Sequence, residues 1–115
     1  MYRGTRIQEP IEREVWVQVK DLRIWSRGNM YTATIPDKEV MKLLMPFINK
    51  VVTLKIDNIL IDVPVGKTRN GGREMIEFVL PRRLNKTWEM LRAKGIRHEA
   101  YIILRPTGNE LYQVV

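Results

Sequence analysis

The chain has 115 residues, 44% of them hydrophobic, which suffices for one domain with its own core. It contains no cysteine and one histidine, so disulfides, thiolate metal sites and histidine metal clusters are excluded. The formal net charge of +7 favours a polyanion such as nucleic acid as partner, although solubility alone also explains such a surplus.

The first half of the chain predicts a short arm and then a hairpin. Residues 1–13 mix charge, glycine and proline and are expected to form a flexible arm before a single domain at 14–115. Val15 to Trp25 alternates between apolar and polar residues, which predicts a half-buried strand. Ser26 to Asn29 has turn chemistry, and Met30 to Ile35 is the returning strand.

A helix is expected after this hairpin. Pro36 ends the strand because it has no N–H for the ladder, and Asp37 is a candidate N-cap. Lys50 to Ile56 then predicts a strand rich in valine, threonine and isoleucine. The helical residues expected to face the core by their spacing are Val40, Leu43 and Leu44.

The second half repeats this plan. Ile59 to Val65 predicts a strand, Gly66 to Arg73 a basic, glycine-rich loop, and Arg73 to Leu80 the returning strand. Pro81 opens a helix over roughly Arg82 to Lys94. The last expected strands are Ala100 to Leu104 and Leu111 to Val115.

The order β-β-α-β therefore occurs twice, in halves of about 14–58 and 59–115. This predicts a mainly β fold with two short helices. Neither half can bury both faces of its strands alone, whereas two halves together can close a small barrel with a pseudo-two-fold axis. Such an axis would present the hairpin tips at Arg27-Gly28 and at Lys67 to Arg73 as paired arms.

This duplicated order resembles the cradle-loop barrels, above all the double-psi β-barrel. Residues 28–56 also resemble the AbrB-type swapped-hairpin DNA-binding domains, through Thr34-Ile35-Pro36, Lys38-Glu39-Val40 and the strand Val51 to Ile56. The resemblance implies a barrel that binds DNA. AbrB-type domains exchange hairpins between two chains, whereas this chain carries two halves, so a monomer and a homodimer both remain open.

Three groups of basic residues are candidate nucleic-acid contacts. The glycine-rich loop brings basic side chains to a hairpin tip, the start of the second helix carries cations against the helix dipole, and two arginines flank Trp25. The eight candidates are Lys67, Arg69 and Arg73, then Arg82, Arg83 and Lys86, then Arg23 and Arg27.

No set of catalytic residues emerges. The string Gly66-Lys67-Thr68 is not a phosphate-binding loop, because position 61 is isoleucine and no helix pattern follows. We therefore expect a non-catalytic, cofactor-free nucleic-acid-binding module, with DNA favoured over RNA. The alternative is a protein-interaction or adaptor barrel that docks through apolar residues. The chain shows neither a membrane span nor a signal-peptide pattern, so we expect a cytoplasmic protein.

Overall fold

The computed structural model describes residues 14–105, so the predicted arm at 1–13 and the predicted strand at 111–115 lie outside the described residues. The fold is mainly β with two short helices, as predicted. The elements are β1 Val15–Arg27, β2 Met30–Ile35, α1 Lys38–Leu44, β3 Val51–Ile56, β4 Ile59–Pro64, β5 Gly66–Asn70, β6 Arg73–Val79, α2 Asn85–Lys94 and β7 Arg97–Leu104.

All seven strands belong to one antiparallel sheet in the order β4-β3-β7-β1-β2-β6-β5. The sheet curls into a half-barrel. The prediction of a closed barrel is wrong, because β4 and β5 form the two edges of the sheet and do not pair with each other. The two edge strands are instead consecutive in the chain, because the single residue Val65 connects β4 to β5. The predicted duplication is not shown.

Strand β1 contains a β-bulge, although its sequence alternates over most of its length. Val19 pairs with Ala100 and Leu22 with His98, so the register against β7 shifts between these two positions. Both Val19 and Leu22 are buried although they are three residues apart. A bulge explains this spacing, because it inserts one extra residue and so returns the side chains beyond it to the buried face of the strand.

The basic stretch predicted as a loop is largely a strand. Residues Gly66–Asn70 form β5, which pairs along its length with β6. Only Gly71 and Gly72 turn the chain, with φ of +62° and +79°. Positive φ at both central residues is typical of the tight hairpin turn that matches the twist of antiparallel strands.

Helix α1 begins as predicted, with the Asp37 side chain accepting hydrogen bonds from the backbone N–H groups of Glu39 and Val40. Val40 and Leu44 are buried, and the helix packs against β6. Leu43 is 53% exposed, so its predicted core position is wrong. It lies about 100° around the helix from Leu44, and a seven-residue helix buries only a narrow stripe.

The second helical segment begins as a short 3₁₀ turn at Arg82–Leu84 and continues as α2. Trp88 is fully buried, and its Nε1 donates to the Pro81 carbonyl oxygen at 2.9 Å. Trp88, Leu91, Val40 and Leu44 join the same core cluster, so both helices cover one face of the sheet. Neither helix in residues 14–105 has the length and apolarity to cross a bilayer.

The strand register assigns each side chain to a face, because directly opposed residues point the same way. Ile24, Ala33 and Phe78 are consecutive partners across β1, β2 and β6, and all three are buried in the core. We call this the inner face. Trp25, Thr34 and Glu77 alternate with them and lie on the opposite, outer face.

Candidate nucleic-acid interface

A groove of about 730 Å³ lies between helix α1 and the β5–β6 hairpin. Helix α1 supplies one wall and the glycine turn with its flanking residues supplies the other. We call it the helix–hairpin groove. Its lining residues are Lys38, Met41, Lys42, Met45, Arg69, Gly71, Gly72, Arg73 and Glu74.

This groove is strongly basic. Four of its lining residues are cations, Lys38, Lys42, Arg69 and Arg73, and one is a carboxylate, Glu74, which leaves a net charge of +3. Among residues 14–105, Lys38, Lys42 and Arg73 form no ion pair. Their charges are therefore available to an anionic ligand.

Glu74 offsets two of the predicted contacts. It lies opposite Arg69 in the β5–β6 register. Its Oε2 atom is 3.2 Å from the Arg69 guanidinium and 3.9 Å from Lys67 Nζ. The sequence from 66 to 73 contains no acid, but the hairpin brings one in from the facing strand. Lys67 and Arg69 thus contribute less free positive charge than the sequence suggests.

Lys38 and Lys42 are site residues that the sequence analysis did not predict. Their spacing of four residues places them on one side of α1, which is a signal available in the sequence. Their relevance depends on the β5–β6 hairpin lying alongside that helix, and this packing is not readable from either segment alone.

A second groove, of about 490 Å³, lies on the outer face of the sheet. We call it the outer-face groove. It brings together Arg23, Arg27 and Arg69 with Trp25, so two of the three predicted groups do meet in space. Arg69 lines both grooves, because it sits on the edge strand that separates them.

The arginines of the outer-face groove have acidic neighbours. Arg23 pairs with Asp21 at 3.0 Å, and the Arg27 guanidinium lies 3.6 Å from Glu77 Oε2. Arg23, Arg27 and Arg69 outnumber the one carboxylate that lines the groove, Glu77, by two charges. The Glu77 side chain is 15% exposed, whereas that of Arg27 is 62% exposed.

The third predicted group lies apart from both grooves. Arg82, Arg83 and Lys86 are exposed and line neither of them. Asn85 Nδ2 donates to the Asn29 carbonyl oxygen at 2.9 Å, which fixes the start of α2 beside the turn between β1 and β2.

The pairing of β2 with β6 determines where the two hairpin tips lie relative to each other. Thr32 pairs with Val79 and Ile35 with Ile76, so β6 runs antiparallel to β2. The turn before β2 and the turn before β6 therefore lie at opposite ends of this ladder. Any ligand that touches both tips must extend along the strands.

A polar network at the far end of the sheet has a structural role. Arg105 Nε donates to the Glu14 carboxylate at 2.6 Å and Arg105 Nη1 donates to Thr53 Oγ1 at 2.8 Å, while Thr53 Oγ1 donates to the Asp62 carboxylate at 2.7 Å. These bonds link the start of β1 to β3 and β4. Arg105, and then the Trp16 indole N–H, hold the pKa of Glu14 below its usual value.

Residues 14–105 contain no cluster of three or more histidine, cysteine or acidic side chains placed to hold a metal ion. No protein-family model, curated protein or solved structure matches this chain.

Proposed function

We propose that this protein is a non-catalytic nucleic-acid-binding module, with DNA favoured over RNA, that holds the phosphate backbone in the helix–hairpin groove. One observation carries the proposal: the fold gathers Lys38, Lys42, Arg69 and Arg73 from two separate elements around one groove that contains a single acid. Cations that converge from separate elements on an open groove suit a chain of phosphates, because neutralising phosphates releases their condensed counterions.

The remaining groove residues suit the same ligand. Gly71 and Gly72 carry no side chain, so a phosphate can approach the backbone of the turn closely. Met41 and Met45 also line the groove and offer flexible apolar surface to a sugar or a base edge. The resemblance of residues 28–56 to AbrB-type domains supports DNA as the polymer, and α1 lies within that segment.

We further propose that the fold derives from the cradle-loop barrels by duplication. The supporting observation is a local symmetry: β2 and β6 pair antiparallel, and each leads through a proline into a helix and then a strand. The two strands that follow, β3 and β7, also pair antiparallel. Residues 14–58 and 59–105 should superpose through a two-fold rotation, and failure to superpose would refute the duplication.

Titration of a fluorescein-labelled DNA duplex tests the proposed function. The dissociation constant should be measured between about 50 and 200 mM salt, where a protein with several phosphate contacts loses affinity steeply. We expect tight binding at low salt and a linear fall of log K with log salt. If the folded protein leaves both the duplex and a single strand of DNA free at low salt, the proposal is wrong.

A second candidate, a protein-docking module, is favoured by one observation. Leu43, on α1, is 53% exposed, and Met45, which directly follows α1, is 44% exposed. Pull-down with and without nuclease separates the two functions. Partners that survive nuclease digestion favour protein docking, and partners that disappear favour nucleic acid.

A further inference from the structure

We propose that the outer-face groove binds an unpaired nucleobase, stacked on Trp25, so that the ligand is a single-stranded nucleic acid or a strand with an exposed base. This inference rests on the proposed function, because the groove would receive the same polymer that the helix–hairpin groove holds. The juxtaposition that carries it is an indole fixed on a strand face and surrounded by Arg23, Arg27 and Arg69.

Trp25 is held in one orientation. Its direct partner across the β1–β2 ladder is Thr32, but its Nε1 donates at 2.9 Å to Thr34 Oγ1, two residues further along β2. The indole therefore spans from β1 onto β2. This position also explains why Thr32 and Thr34, polar residues on the outer face, are only 1% and 5% exposed. An indole already fixed against the sheet loses little conformational freedom when a base stacks on it.

The ring remains open on its other side. Trp25 is 37% exposed and lines a groove of about 490 Å³, which is ample space for a base and its sugar. Aromatic rings stack on bases without regard to sequence, because every base has a π face. In a duplex the bases are stacked on one another, so only an unpaired base can use this surface.

The surrounding charges favour the phosphates of such a strand. The cations of this groove are Arg23, Arg27 and Arg69. Each lies beside a carboxylate, Asp21, Glu77 and Glu74 respectively, but only Glu77 lines the groove. Arg69 also lines the helix–hairpin groove. A single strand can therefore pass over the edge strand β5 from one groove to the other without leaving positively charged surface.

Tryptophan fluorescence can report the stacking of a base on Trp25. The chain has three tryptophans, and Trp88 is fully buried. In a Trp16→Leu variant, Trp25 is the exposed tryptophan that remains. Adding an oligothymidylate of about 12 nucleotides, a typical site size for a sequence-tolerant fold, should quench its emission. An unchanged emission at saturating oligonucleotide would overturn the inference.

Affinity variants separate stacking from structural support. Trp25→Leu should weaken binding of the oligothymidylate by about tenfold to a hundredfold, whereas Trp25→Phe should retain most of the affinity because it keeps a ring. Trp16→Leu is the matched control, since Trp16 is 50% exposed on the same strand and lines neither groove. Circular dichroism and thermal melting establish that each variant is folded.

The outcomes for the two proposals differ. If the duplex binds in a salt-dependent way while folded Trp25→Leu and wild type bind the oligothymidylate equally, the stacking inference falls and the proposed function stands. If neither polymer binds at low salt, both fall. Loss of single-strand affinity in Trp25→Leu, with rescue in Trp25→Phe and no change in Trp16→Leu, supports the inference.

Discussion

Neutralising the groove cations that form no ion pair among residues 14–105 should reduce nucleic-acid affinity far more than neutralising an equal charge elsewhere. The variant is the triple replacement of Lys38, Lys42 and Arg73 by glutamine, which lowers the net charge from +7 to about +4. These three are preferable to Lys67 and Arg69, because removing the latter two would also leave Glu74 without its partners. The matched control replaces Arg82, Arg83 and Lys86, with the same change in charge.

The magnitude follows from the number of contacts. Each phosphate contact contributes about 0.9 to the slope of log K against log salt, so three lost contacts lower the slope by up to about 2.7. At 0.1 M salt, relative to the extrapolated value at 1 M, this corresponds to up to about 500-fold weaker binding. The control should lose less than about tenfold, because charges outside the contact are largely screened at this ionic strength.

The assay is the titration of the labelled duplex at four or more salt concentrations. Thermal melting should show that both triple variants remain folded, since exposed substitutions rarely change stability by more than about 0.5 kcal/mol each. Equal slopes for the groove triple and the control triple would refute the groove as the binding surface. A larger effect in the control would move the interface to the start of α2.

Three further predictions concern stability. Asp37→Ala removes the acceptor for two backbone N–H groups of α1 and should lower the free energy of unfolding by about 0.5–2 kcal/mol in urea titration, whereas Asp37→Ser, which keeps an acceptor, should cost much less. Trp88→Ala empties a fully buried site and should cost about 3–5 kcal/mol by the same measurement; a loss below about 1 kcal/mol would contradict the core packing. The pKa of Glu14 is lowered from 4.5 in the folded state, so its contribution is present above that pH and is lost as the pH falls through the folded pKa. The stability difference between wild type and Glu14→Gln should therefore shrink as thermal melts are moved from neutral pH to pH values below 4.5, and a difference that grows would reverse the sign of this argument.

The strand and helix pattern was largely predictable, because it depends on local chemistry. The alternation in β1, the turn at Gly28 and the N-cap at Asp37 each depend on a few neighbouring residues. The structure confirms all three predictions. The bulge in β1 also had a local signal in the sequence, since the apolar residues Val19 and Leu22 are three positions apart and break the period of two. Strand β5 had none, because Lys67 and Arg69 lie on an edge strand that needs few apolar side chains.

The composition of the site was not predictable, because it depends on which elements become neighbours. Glu74 reaches Lys67 and Arg69 only through the hairpin register, and Lys42 and Arg73 line one groove only because α1 packs on β6. The absence of pairing between β4 and β5 is also a property of the whole sheet and not of either strand alone. A curled sheet can stop short of closure, and no local stretch of the sequence specifies the final strand pairing.

The position of β7 constrains how the polypeptide reaches this arrangement during synthesis. Strands β1 and β3 are never hydrogen-bonded to each other, because β7, the last described strand, lies between them. When a ribosome has released the chain only as far as α2, the position between β3 and β1 is empty and β1 exposes unpaired backbone groups. Pairing of Val15 with Leu104 spans almost the entire described chain, and such long-range closure is slow. The nascent protein is therefore most vulnerable to aggregation just before β7 emerges, and removal of that single strand should leave no stable remnant.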